Sequence, residues 1–149
     1  MFELHSDSKE STKALGKKLA SFLRPGDVVL LEGELGAGKT TLVSGVAEGL
    51  RCGEDVISPT FNILKCYFKG TLPLYHIDAY RLEGQNMELG LEEFIEGDGA
   101  CFIEWPVYIE SLLPDERLHI RLYHDGSSRR IVIEGKGPRG QELEEALRN

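Results

Sequence analysis

Residues 33–40, Gly33-Glu34-Leu35-Gly36-Ala37-Gly38-Lys39-Thr40, match the pattern G-x-x-x-x-G-K-[ST] without a mismatch, and few backbones can hold such a segment. Glycines open backbone angles closed to other residues, so successive N–H groups converge on one anion with no Cβ in the way. The segment therefore needs a strand before it and a helix after it. Both are present: Val28 to Leu31 is an aliphatic run too short for a helix and apolar on both faces, the signature of a buried strand. Beyond the loop, Leu42, Val43, Val46, Ala47 and Leu50 recur with helical period, which starts a helix near Lys39. That helix presents its free N–H groups and the positive end of its dipole to a phosphate. Lys39 adds a point charge for the β- and γ-phosphates, and the Thr40 hydroxyl suits one magnesium position. Residues Gly33, Glu34, Leu35, Gly36, Ala37, Gly38, Lys39, Thr40 and Thr41 are the expected nucleotide contacts.

The rest of the chain supplies a sheet for this loop. Ser8 to Leu23 reads as an amphipathic helix through Leu15, Leu19, Phe22 and Leu23, with Asp7 to Glu10 resembling a capping box. Ile63 to Phe68, Leu74 to Ile77 and Ala100 to Ile103 read as strands, and Met87 to Phe94 as a short acidic helix. Leu118, Ile120 and Leu122 alternate with His119 and Arg121, and Asp125-Gly126 turns the chain into Arg130 to Glu134, a hairpin signal. Gln141 to Arg148 closes as a helix. The expected fold is α/β, a single-domain P-loop NTPase over residues 1–149 with a mixed sheet flanked by helices.

Composition removes other classes. Apolar stretches reach only about four residues against the roughly 20 of a membrane span, and the N-terminus lacks the basic flank and apolar core of a signal peptide. No membrane association and a cytoplasmic location are expected. Cys52, Cys66 and Cys101 are widely spaced and odd in number, so neither a disulfide framework nor a zinc site is indicated. A net charge of -8 disfavours direct adhesion to nucleic acid, which relies on Lys and Arg. Any role in RNA biology is expected to run through a protein partner.

A phosphate loop needs an acid at the end of a neighbouring buried strand to hold magnesium. Glu104 follows Ala100-Cys101-Phe102-Ile103, and Asp78 follows Leu74-Tyr75-His76-Ile77. Thr60, in Ser58-Pro59-Thr60-Phe61, lies where many such proteins place a segment that senses the γ-phosphate. Trp105, the only tryptophan, can pack on ligand or loop. His76 reads as structural.

Four ordered motifs, Gly33 to Thr41, Ser58-Pro59-Thr60-Phe61, His76-Ile77-Asp78-Ala79-Tyr80-Arg81 and Ile103-Glu104-Trp105-Pro106, closely resemble those of the bacterial TsaE family, also called YjeE. The resemblance covers nearly the whole chain, and the last three motifs make it specific. It implies an ATPase required for threonylcarbamoyladenosine modification of tRNA, with TsaD and TsaB as protein partners, TsaD performing the transfer and tRNA engaged only indirectly. By the same resemblance Lys39 grips phosphate, Thr40 and Glu104 hold Mg2+, Asp78 supports hydrolysis, Thr60 and Trp105 belong to the ATP site, and Ser8 to Thr12 run near the base.

Two other readings share the phosphate loop. A small-molecule kinase needs an acceptor site and an arginine-bearing lid, and only Arg51 and Arg81 fall between Leu50 and Ala100. A nucleotide-gated binding module without significant turnover differs from the ATPase only in whether hydrolysis is required. A GTP switch is disfavoured because no Asn-Lys-x-Asp sequence occurs. With no clear internal arginine finger, slow hydrolysis by the isolated chain is expected.

Overall fold

The apolar run Val28 to Leu31 lies inside a seven-stranded sheet, in the order β1-β7-β6-β2-β5-β4-β3. The computed structural model describes residues 1–34, 36–53, 56, 63–82 and 90–149. Leu35, Ser58-Pro59-Thr60-Phe61 and the first residues, 87–89, of the expected acidic helix lie outside the described residues. The elements are β1 (Phe2–Ser6), α1 (Lys9–Ala20), β2 (Val28–Gly33), α2 (Lys39–Gly49), β3 (Leu64–Tyr67), β4 (Leu74–Asp78), α3 (Glu92–Ile95), β5 (Ala100–Glu104), β6 (Arg117–Asp125), β7 (Ser128–Lys136) and α4 (Gly137–Arg148).

β2 pairs parallel with both β5 and β6, and β5 pairs parallel with β4. β1–β7, β7–β6 and β4–β3 are antiparallel, which gives the expected mixed sheet. Because side chains alternate along a strand, β2 feeds two cores. Val29 and Leu31 join Leu19, Leu42, Val46 and Leu143 on the side of α1, α2 and α4, while Val28 and Leu30 join Ile77, Ile95, Ile103 and Ile109 on the other. β6 is apolar on one face only: Leu118, Ile120 and Leu122 enter the first core, and Arg121 on the other pairs with Glu32 and Glu134.

α1 and α2 approach closely through glycines. A Cβ on Gly45 would lie 2.1 Å from the Lys13 carbonyl oxygen, and one on Gly16 2.3 Å from that of Leu42. Buried Asp27 anchors α4 to the turn before β2: Arg139 donates from Nε and Nη2 to its two carboxylate oxygens at 2.9 and 2.7 Å.

Several details depart from the sequence reading. Among the described residues the acidic helix expected over Met87 to Phe94 is confined to α3, Glu92–Ile95. Ser8, not Asp7, caps α1, its Oγ accepting from the Ser11 N–H at 3.0 Å. Phe2–Ser6 forms an edge strand that the reading lacked. A 3-10 segment, Pro106–Leu112, kinked at Ile109, follows β5. Among the described residues no helix is long and apolar enough to cross a membrane.

Candidate functional site

Parallel pairing brings the C-terminal ends of β2, β5 and β4 to one edge of the sheet, where open α/β sheets bind ligands. Leu31 stands opposite Glu104, and Glu104 opposite Asp78, so the register sets both acids beside the glycine loop that leaves β2. Gly33 has little room for any other residue, since a Cβ there would sit 2.6 Å from the Leu122 carbonyl oxygen. Gly38 holds φ at 111°, a conformation that L side chains rarely adopt, and α2 begins at the next residue. The loop and the first turn of α2 therefore follow directly from the glycines.

Lys39 is buried at 7% exposure. Its Nζ donates to the Gly33 carbonyl at 2.7 Å, lies 3.5 Å from Glu104 Oε1 and sits 5.0 Å from the centre of the Trp105 ring. Trp105 reaches this position with φ 56° and ψ 51°, a left-handed conformation rare for a bulky residue and met most often at functional sites. Glu104 Oε2 accepts from His76 Nε2 at 2.6 Å, and His76 is fully buried. An ionised carboxylate only accepts, so the ring proton sits on Nε2. His76 Nδ1 is buried with no hydrogen-bond partner among the described residues. Burial alone raises the Glu104 carboxyl, but the His76 hydrogen bond and the neighbouring positive charge of Lys39 outweigh it and hold Glu104 below the usual carboxylate range.

Asp78 is half-buried, and its Oδ1 accepts from the Tyr80 N–H at 3.0 Å. Burial, and then the proximity of Glu104, push its carboxyl up against the opposing Tyr80 N–H. One carboxylate is thus locked by partners in the sheet and the other stands at the margin. Thr40 and Thr41 lie in the first turn of α2, both half-buried. Of the expected nucleotide residues, Leu35 and Thr60 fall outside the described residues.

Two residues that the sequence reading did not assign to the site border it. His76 locks Glu104. Arg129, on β7, donates from Nη2 to the Gly36 carbonyl at 3.2 Å. It lines a pocket of about 180 Å3 on the far side of the loop, shared with Ser8, Lys9, Thr12 and Thr41. No sequence signal marks Arg129, because it reaches the loop only through the pairing of β7 with β6.

A glycine loop between a buried parallel strand and a helix, with acids ending the adjacent strands, defines a P-loop protein. The family model described as threonylcarbamoyl adenosine biosynthesis protein TsaE matches residues 6–132. A Bacillus subtilis (strain 168) protein named tRNA threonylcarbamoyladenosine biosynthesis protein TsaE is 50% identical over 139 residues, 93% of this chain and 88% of that protein. A Nostoc sp. protein of the same name is 48% identical, covering 89% and 85%. The crystal structure of Bacillus subtilis YdiB superposes with a TM-score of 0.86 at 42% identity, over 99% of this chain and 93% of that one. The chain belongs to the TsaE family.

Proposed function

We propose that the chain binds ATP with Mg2+ in residues 33–41 and hydrolyses it slowly on its own, in support of threonylcarbamoyladenosine modification of tRNA in the cytoplasm. The observation that carries this reading is the convergence of Lys39, Glu104 and His76 on the mouth of the phosphate loop. The role in tRNA modification is supported by the family and by the names of the relatives.

A phosphate in the loop offers Lys39 a charged acceptor in place of the Gly33 carbonyl. The ammonium is attracted more strongly to a phosphate, which carries a net negative charge, than to a neutral carbonyl dipole, so Lys39 turns to the phosphate and Glu104 Oε1 gains freedom. Magnesium suits this donor set. It takes hard oxygen ligands, usually one or two carboxylates plus phosphate oxygens and water. The Thr40 hydroxyl and Glu104 would hold it, and the ion would neutralise charge on the transferred phosphoryl group. Asp78, at the margin of the site, supports hydrolysis by orienting water or the shell around the ion. The pocket beside Arg129 takes the base end of the nucleotide, near Ser8 to Thr12, and Trp105 packs over the phosphate side.

A slow rate fits the position of Arg129. Its guanidinium lies at Gly36 on the β7 side of the loop, whereas the carboxylates lie on the β5 side, so Arg129 does not reach the γ-phosphate as an arginine finger. Completion by a partner, the TsaB and TsaD pair, is the reading that fits a small acidic protein of this family. The test is ATP turnover with and without magnesium. Hydrolysis that does not depend on magnesium, or no binding of ATP, overturns the proposal.

A further inference from the structure

A second cleft, about 450 Å3, opens on the Leu30 face of β2, away from α1 and α2, where the 3-10 segment after β5 stops covering the sheet. Its volume lies within the roughly 300–1,000 Å3 range of ligand sites. The wall is apolar through Trp105, Pro106, Val107 and Leu113, and the rim carries Glu34 and Glu110. Three observations set it apart from an ordinary surface dent.

Val107 is 63% exposed and Trp105 36%, so an apolar surface stands open beside the phosphate loop. Glu34 and Glu110 have no ion pair among the described residues, in a chain whose net charge is already -8. His119 forms part of the cleft wall at 9% exposure. Arg117 Nε donates to its Nε2 at 3.1 Å, so the neutral ring carries its proton on Nδ1. Burial, with the charges of Arg121 and Arg117, pushes this imidazole below its ordinary value and keeps it neutral. That Nδ1–H is buried with no acceptor within hydrogen-bond distance, the nearest carboxylate oxygen, Glu32 Oε1, being 3.7 Å away.

We propose that this cleft seats a segment of the partner protein carrying a lysine or arginine side chain beside apolar residues. The cation lies against Glu34 and Glu110, and the apolar neighbours cover Val107 and Trp105. A second copy of this chain is a poor occupant, because it brings the same unpaired carboxylates to the same place. The proposal rests on the reading that the chain acts with a protein pair, and it says where the pair binds. Glu34 belongs to the loop and the Trp105 ring covers Lys39, so a seated segment touches the nucleotide site itself.

The test measures association of the purified TsaB and TsaD pair with the wild-type chain, Glu110→Arg and Val107→Glu in the presence of ATP and Mg2+, with Glu145→Arg at an exposed position of α4 as control. ATP affinity of each variant alone is measured in parallel. The expected result is association weaker by about tenfold or more for the first two variants, equal to wild type for the control, with ATP affinity unchanged throughout. Raising the salt weakens the wild-type association more than that of Glu110→Gln. Equal association by all variants overturns the proposal and leaves the partner reading standing. Failure of the wild-type chain to associate overturns both. A wild-type dimer in sedimentation that Val107→Glu dissolves makes the occupant a second copy, and also overturns it.

Discussion

His76 Nε2 and Glu104 Oε2 are 2.6 Å apart, joining the middle of β4 to the end of β5 across a fully buried contact. Such partners commonly tune a ligating carboxylate, and their loss costs about 10–100-fold in metal affinity or activity. His76→Phe is expected to lower magnesium-dependent turnover within that range and to raise the magnesium concentration needed for half-activity, while ATP affinity changes little. His76→Gln, which can still donate, restores part of the loss. Equal effects of Phe and Gln on turnover and on thermal stability alike would assign His76 to packing alone.

In the proposed ATP site Lys39 would carry the charge that a phosphate meets. A hydrogen bond to a charged group contributes about 1.5–3 kcal/mol, so Lys39→Ala is expected to weaken ATP binding by roughly 10–100-fold. The substitution also leaves buried Glu104 without its nearby cation. Calorimetric titration with ATP and Mg2+ checks this, and wild-type affinity in the variant would remove Lys39 from the phosphate site.

The parts of this molecule that were legible in the sequence are those dictated locally. The loop, β2, α2 and β5 follow from glycine positions and short apolar runs, and β5 ends at Glu104 as the position of the acid after Ile103 suggested. β1 was missed because a short edge strand is held by its partner β7, not by its own five residues. The kinked segment after Trp105 was missed because 3-10 turns have little periodicity to read. His76 and Arg129 act across separations of 28 and 93 residues, so their roles depend on strand register that no local pattern encodes. The Ser58 to Phe61 motif is legible in the sequence and lies outside the described residues.

Gly45 separates two opposing effects. Alanine favours a helix over glycine by about 1 kcal/mol, but its Cβ would lie 2.1 Å from the Lys13 carbonyl oxygen, a backbone atom that cannot rotate away. Overpacking typically costs about 1–3 kcal/mol, so Gly45→Ala is expected to be destabilising by urea unfolding and to push α1 away from α2. A variant as stable as wild type would contradict the close helix contact.

The Tyr75 hydroxyl donates to Asp98 Oδ1 at 2.6 Å. That hydrogen bond first, and then burial, push its phenol up from 10 to about 12. The folded state therefore holds this proton more tightly than the unfolded state. The stabilisation is fully present below pH 10 and is lost as pH rises through about 12. Urea midpoints compared between wild type and Tyr75→Phe are expected to converge across this window, and a constant difference would contradict the assignment.

The proposed function assigns to Glu104, set beside the phosphate loop by strand register, the magnesium dependence of ATP hydrolysis. The most direct measurement is ATP hydrolysis by the purified chain and by Glu104→Ala, with and without Mg2+ and with and without the TsaB and TsaD pair. Slow magnesium-dependent turnover by the wild-type chain alone, marked stimulation by the pair, and loss of both in Glu104→Ala with ATP binding retained are expected. Normal hydrolysis by Glu104→Ala would contradict the role assigned to Glu104.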